Sequence, residues 1–355
     1  SFAKMKQISE TTQQYKSTFA KLDFVDLIEQ YLFVEPPFLK LLIVDEAQDL
    51  TPLQWKMVNH MKSNAENVVY AGDDDQAIHR WTGVEVAEFI TATENKIILS
   101  QSYRLPRTVW ALSQKIVKRI DDRVEKKFLP TAEEGAVCFH LSRDTIPYYK
   151  GSWTIMARTN GYVRDFADKL REDGFMYSVK GRPSINPKDA DAIMAWRDLQ
   201  AGRSLYLGRV KTMYALAPKQ GDGAVVKRGS SRLLEDADPE LQLDYDTLVR
   251  DFGLIAPLDT DAMDIVRFGY HQKLYVRSLE RRGEDITQPP RIKLSTFHAM
   301  KGGEDDYCVV YLGTTRACLE SRYPDDEHRA FYVGVTRARK ELHILDTEKR
   351  YRYEI

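Results

Sequence analysis

The sequence predicts an α/β protein built from two parallel-sheet units, and three observations predict it. Short β-branched runs alternate with amphipathic stretches along most of the 355 residues, the rhythm of strands joined by helices in a parallel sheet. The run LLIVDEAQD (41–49) is apolar until it ends in two carboxylates, as a buried parallel strand is when it delivers acidic groups from its C-terminal end. A polar stretch, FLPTAEEG (128–135), divides one such alternation from the next.

In the first unit, strands are expected at FLKLLIVD (38–45), NVVYAG (67–72) and KIILS (96–100), followed by a helix over about 106–120. In the second, AVCFHL (136–141), WTIMAR (153–158) and MYSV (176–179) read as strands, with helices over 162–173 and 188–199. Between 202 and 290 the pattern degrades: 221–240 is rich in Gly, Asp and Ser, and the remainder is charged and helical in composition. The alternation resumes with RIKLSTFHAMKG (291–302), YCVVYL (307–312), a helix over 326–337 and ELHIL (341–345). The expected organisation is a first domain over 1–130, a second over 131–201 and 291–355, and a short insertion over 202–290.

Composition narrows the function. With 52 Lys and Arg against 53 Asp and Glu, the net charge is −1, so no global basic field holds nucleic acid and any such contact relies on local grooves and stacking. Cys138, Cys308 and Cys318 form no CxxC pair and read as reduced thiols of the core rather than metal ligands. No signal peptide and no apolar run of membrane length is present, which makes an intracellular protein the expectation. No internal repeat is visible.

Adjacent carboxylates at a strand end can present one group to Mg²⁺ and the other to an attacking water, the division of labour in nucleotide hydrolysis. On that reading Asp45 holds the metal and Glu46 orients and deprotonates the water. The plainer alternative is a strand that ends in a polar turn. The rest of the chain bears on the choice, because GDDDQAIHRW (72–81), LSQSYR (99–104), STFHAMKGGE (295–304) and HRAFYVGVTRAR (328–339) follow in order. Together these resemble motifs II to VI of the UvrD/Rep/PcrA group of superfamily 1 DNA helicases.

The resemblance implies two RecA-like domains, the second with a reduced insertion of the kind called 2B, and an ATP- and Mg²⁺-dependent motor stepping 3′ to 5′ on single-stranded or partly duplex DNA. It gives Gln76 the role of γ-phosphate sensor. Asp74 and Asp75 beside it could also be a solvated acidic turn. Tyr103 would stack on adenine and Arg104 would touch the γ-phosphate, while Arg337 would be an arginine finger from the second domain, a guanidinium being suited to bridging transition-state oxygens. The turn of Lys301, Gly302 and Glu304 would meet the nucleotide, with Glu304 at the ribose. Trp81 would stack on a base, although a lone Trp is often core, and His79 stands beside it where the family has Tyr. Thr296 and His298 would face the DNA backbone or the interdomain seam. Arg158 and Asn160 would serve either DNA contact or packing, and Tyr332 reads as core.

Three departures matter. Thr82 replaces the family's Arg after the tryptophan. KGGE replaces KGLE, removing a leucine from under the turn and loosening it. Finally, none of the nineteen glycines is followed by Lys, so the Walker A loop, whose amides and Lys hold the phosphates, is absent. The chain therefore reads as a fragment, its missing upstream segment supplied by the same polypeptide or a separate chain. Rival readings are a non-catalytic pseudo-helicase serving DNA binding or assembly, a helicase-nuclease fusion, for which no nuclease-like sequence follows Arg350, and an RNA-directed motor, since stacking ignores the 2′-hydroxyl.

Overall fold

The computed structural model describes residues 2–235 and 237–355; Asp236, inside the expected irregular stretch 221–240, lies outside the described residues. The described residues divide into two units, one formed by 2–134 with 316–336 and Ile355, the other by 135–315 with 337–354.

The first unit holds two parallel strands, β1 (Leu42–Val44) and β2 (Val68–Tyr70), in the register Leu42–Val68, Ile43–Val69, Val44–Tyr70. Leu42 and Val44 point into a small core with Ala47, Trp55 and Val58, whereas Ile43 between them is exposed. This is the period of two of a strand covered on one face. Between the strands runs helix Pro52–Lys62, started by a capping box in which Thr51 and Gln54 satisfy each other's backbone amides. The third expected strand, 96–100, does not form. Its backbone meets only the bridge between Gln101 and Leu129, and Ile97 and Leu99 are exposed. An apolar run becomes a strand only where a neighbouring strand accepts its hydrogen bonds, and among the described residues none lies beside it.

The second unit contains β3 (Ala136–His140), β4 (Trp153–Ala157), β5 (Tyr177–Val179), β6 (Arg182–Pro183), β7 (Leu205–Tyr206), β8 (Gln242–Leu243), β9 (Ile292–Thr296), β10 (Asp305–Tyr311) and β11 (Ala338–Leu345). Seven of these form one sheet in the order β3-β11-β10-β4-β9-β5-β6, parallel except for the β5–β6 hairpin. The expected strands at 136–141, 153–158 and 176–179 are all present within a residue or two. Every residue of β4 is buried, as a parallel strand covered on both faces must be.

Two boundaries differ from the expected ones. Residues 202–290 do not make a core of their own: Val210, Met213, Tyr214, Leu248 and Val276 pack in one continuous cluster with Trp153, Phe166 and Trp196 of the sheet and its helices. The Trp196 indole also donates to the Thr260 carbonyl at 2.9 Å. And helix Pro324–Val335, expected in the second domain, groups with the first unit, where it packs on helix Arg107–Val117 and its first turn makes polar contacts that hydrophobic periodicity cannot announce. Among the described residues no helix is long and apolar enough to cross a membrane.

Candidate nucleotide and DNA sites

Both strands of the first unit deliver their candidate residues from their C-terminal ends, where ligands of open parallel sheets bind. After β1, Asp45 accepts the Glu46 amide at 2.9 Å, and Glu46 takes the left-handed conformation at φ 48°, a geometry that costs a non-glycine residue about 1 kcal/mol or more. Both carboxylates face solvent. Gln48, only 1% exposed, clamps the region: its Nε2 donates to Glu46 Oε2 at 2.6 Å and its Oε1 accepts the Asp73 amide at 3.0 Å. One buried amide thus joins the carboxylate pair to the turn after β2. Gly72 makes room for it, since a Cβ there would lie 2.2 Å from Gln48 Oε1 and 2.9 Å from the Phe89 ring.

The solvated-turn reading of Asp74 and Asp75 is overturned, because they are 2% and 1% exposed. Buried carboxylates need partners, and these have them. Arg123 grips Asp75 bidentately at 2.8 Å, the Val124 amide donates to Asp74 at 2.7 Å, and Lys126 reaches Asp73 at 2.7 Å, Asp75 at 3.0 Å and also Asp74. Burial pushes the Asp73 carboxyl up, but the Lys126 charge and hydrogen bonds from Lys126 and Gln76 outweigh it and hold Asp73 below its ordinary range. Burial likewise opposes the Lys126 charge, and the three aspartates overcome it, holding the ammonium well above its usual value. Gln76 Nε2 donates to Asp73 Oδ2 at 2.6 Å, which fixes the amide on the same turn.

Trp81 is 76% exposed, so the core reading fails, and His79 meets it edge-on with centroids 6.4 Å apart. Tyr103 is 92% exposed. Its turn is pinned by the Ser102 hydroxyl, which accepts the amides of Arg104 at 3.3 Å and Leu105 at 3.1 Å.

In the second unit the expected residues fall into two groups. Arg158 follows the C-terminal end of β4, where Thr159 caps helix Asn160–Glu172. Thr296 ends β9 in register with Ala157, and its hydroxyl accepts the Ala299 amide at 3.2 Å, opening the turn that carries His298. Arg158, Asn160, Thr296 and His298 therefore share the C-terminal rim of the sheet. Lys301, Gly302 and Glu304 precede β10, and Arg337 precedes β11, whose first residue pairs with Asp305. With Tyr307 level with Trp153 and Ile292, these sit at the opposite rim, about 13 Å away at the usual rise per strand residue. Arg337 is buried and donates to the Gly303 carbonyl at 3.3 Å, and Glu304 lies 3.4 Å from Arg339. The second glycine of KGGE has a use: Met300 Cε lies 2.6 Å from where a Cβ on Gly303 would stand, so methionine covers the turn in place of the expected leucine.

Tyr332 is buried, as expected. The cysteines are free, Cys308 buried and the other two half-buried. Lys126, Arg123 and Arg329 escaped the sequence reading. Arg329 carried a signal, since an arginine inside the apolar run HRAFYVGV must find partners or leave the helix face; it is fully buried and donates Nε to the Asp74 carbonyl at 3.0 Å.

Among known proteins, residues 3–97 match the family model of the UvrD/REP helicase N-terminal domain, and residues 269–349 that of the UvrD-like helicase C-terminal domain. The chain belongs to the UvrD/Rep/PcrA group of superfamily 1 helicases. It is similar to the ATP-dependent DNA helicase PcrA of Bacillus subtilis, 23% identical over 255 residues covering 61% of this chain and 34% of the relative. The PcrA of Leuconostoc citreum is 24% identical over 180 residues, covering 44% and 24%, and that of Staphylococcus aureus 30% over 88 residues, covering 23% and 12%. The chain thus spans about a third or less of the length of these curated relatives. The parallel seven-stranded sheet agrees with the RecA-like fold of the family.

Asp45 fits a hydrated Mg²⁺. Among the described residues no cluster of three or more His, Cys, Asp or Glu could hold a metal, but Mg²⁺ uses one or two carboxylates together with waters and substrate phosphates, and Asp45 is exposed at a strand end.

Proposed function

We propose that this chain is part of an ATP-driven motor that moves 3′ to 5′ on single-stranded DNA and separates duplexes, and that it acts with a phosphate-binding loop from a further segment. The observation that carries the reading is the Gln48 clamp, which joins the hydrolytic carboxylate to the sensor turn. Glu46, exposed and steadied by Gln48, accepts the proton of the attacking water. Asp45 would hold Mg²⁺, and the ion when bound would supply charge neutralisation for the phosphates. Gln76 hydrogen-bonds the terminal phosphate as a neutral donor, Tyr103 stacks on adenine, and Arg104 and Arg337 stabilise the transferring phosphoryl group. The two rims of the second sheet support a division of labour, with Lys301, Gly302 and Glu304 toward nucleotide and Arg158, Asn160, Thr296 and His298 toward DNA. The direction rests on the QxIxxW form of the motif at 76–81, and work on DNA supports an intracellular location.

One observation favours the non-catalytic alternative: Arg337 and Glu304 are engaged by Gly303 and Arg339. A motor must release these contacts when nucleotide binds, whereas an assembly module keeps them. Steady-state ATP hydrolysis by the gene product, with and without single-stranded DNA, separates the two. The motor shows DNA-stimulated turnover that Trp81→Ala weakens together with DNA affinity, by about 1 to 3 kcal/mol as loss of one stacked base implies. Hydrolysis indifferent to DNA overturns the motor. The 355 residues on their own should not hydrolyse ATP, for without oriented amides and a Walker lysine the triphosphate is not held in line.

A further inference from the structure

Arg80 stands between two residues of the site and belongs to neither role assigned above. It opens the short turn Arg80–Thr82 that presents the exposed Trp81. Its Nε lies 3.1 Å from Asp326 Oδ1, and its guanidinium sits over the Tyr323 ring, 4.5 Å from the centroid. The other groups at the first turn of helix Pro324–Val335 are engaged as well. Asp325 accepts the amides of Asp121 at 3.2 Å and Asp122 at 3.1 Å, while Arg329 donates to the carbonyls of Asp74 and Asp122. Asp74 is two residues from Gln76. All of these residues belong to the first unit.

We propose that Arg80 is a positioning residue, and that through Asp326 and the first turn of this helix it couples the Trp81 stacking platform to the Gln76 sensor turn. The physical case has three parts. Trp81 is exposed, so packing does not fix its ring, and an unfixed platform loses stacking to side-chain and backbone entropy. Arg80 anchors the turn by charge and by its cation–π contact, both strengthened because Arg80 and Asp326 are about three-quarters buried. Asp326 and Arg329 are also one helical turn apart, so whatever moves Arg80 is transmitted to the residue that holds Asp74. Asp326 Oδ1 and Arg329 Nη1, buried without a well-aligned hydrogen bond, lie 3.9 Å apart. That leaves a second pairing available when the Arg80 contact is withdrawn.

The inference rests on the functional reading above, and the test keeps their failures apart. In the full-length gene product, DNA-stimulated ATP hydrolysis is measured for Arg80→Gln, Asp326→Asn and the exchange Arg80→Asp with Asp326→Arg. Each single variant should raise the half-saturating concentration of single-stranded DNA about tenfold while the KM for ATP moves less than about twofold, and the exchange should recover most of the loss, as for two groups that act through one contact. A merely structural role predicts otherwise: ATP and DNA requirements then worsen together, and the exchange is worse than either single change. That pattern, or single variants within about twofold of wild type for DNA, overturns the inference. Should Arg80→Gln fail to accumulate, Asp326→Asn reads the same link from the other side. A wild type whose hydrolysis DNA does not stimulate overturns the functional reading, and the inference with it.

Discussion

The two units carry their candidate site residues at strand ends in the same way but hold those ends differently. The second unit fixes its rims by mass: β4 is wholly buried, and Trp153, Phe166, Trp196 and Phe297 are 2% exposed or less. The first has two three-residue strands with Ile43 and Val69 exposed, and it fixes its site by charge, setting Asp73, Asp74 and Asp75 against Lys126 and Arg123 and fastening Asp74 with Arg329. An apolar core resists deformation because it is close-packed. An ionic cluster is stable only while every member is charged and paired, which makes the first unit sensitive to the loss of one partner.

The largest break is expected at Lys126. Lys126→Ala leaves buried Asp74 and Asp75 and half-buried Asp73 short of a cation and should destabilise the first unit by about 3 to 5 kcal/mol, as removal of one partner of a buried pair does. Phe166→Ala should cost the second unit a similar amount, about 3 to 5 kcal/mol, by leaving a cavity. Acid distinguishes them. In acid the penalty of Lys126→Ala should shrink as Asp73 protonates, while that of Phe166→Ala should not, and hydrogen exchange resolved by unit reads both.

Wild-type acid response sharpens the contrast. Asp73 titrates below its ordinary 3.8 in the fold, so its stabilisation is present above that value and lost as pH falls through the depressed one. In the second unit His343, 2.8 Å from His140 through their ring nitrogens, is held below its ordinary 6.5 by burial and then by His140. Its unfolded form takes up a proton first, so its contribution is present above 6.5 and declines as pH falls toward the folded value. His328, in the first unit, is likewise held below its ordinary 6.5 by burial and then by Arg119. Both units should therefore begin to lose stability below about pH 6.5, and the first should lose more at acid pH as Asp73 protonates, as unit-resolved exchange over pH 3 to 8 would record. A first unit whose exchange stays flat over that range contradicts the assignment.

The smallest expected difference lies between two glycines. Gly72→Ala pushes a Cβ against Gln48 and Phe89 and should cost about 1 to 3 kcal/mol, the range for overpacking. Gly303→Ala meets the flexible end of Met300 at 2.6 and 2.9 Å and its backbone carbonyl only at 3.3 Å, and should cost less, about 0.5 to 1 kcal/mol. Thermal melts of the two variants decide it.

What could be read from the sequence follows the same division. The strands of the second unit and the residues at their ends were legible, because burial on both faces writes a continuous apolar run such as WTIMA. The exposure of Trp81 and the acidic pair after β1 were legible from their motif. The partners of Asp73, Asp74 and Asp75 were not: Lys126 and Arg329 lie about 50 and 255 residues away, and a pairing of opposite charges leaves no periodicity. The same blindness assigned helix Pro324–Val335 to the second domain. KIILS misled for the opposite reason, since its apolar pattern is that of a strand but the neighbour it needs is not among the described residues. The opposite placement of His298 and Glu304, six residues apart, required the register of β9, β4 and β10.

The claim that the Asp45–Glu46 strand end is a hydrolytic centre is tested most directly by Glu46→Gln in the gene product, followed by nucleotide affinity and by turnover with saturating single-stranded DNA. Nucleotide binding should stay near wild type while turnover falls by roughly a hundredfold or more, as loss of a general base implies; wild-type turnover in that variant would contradict the account.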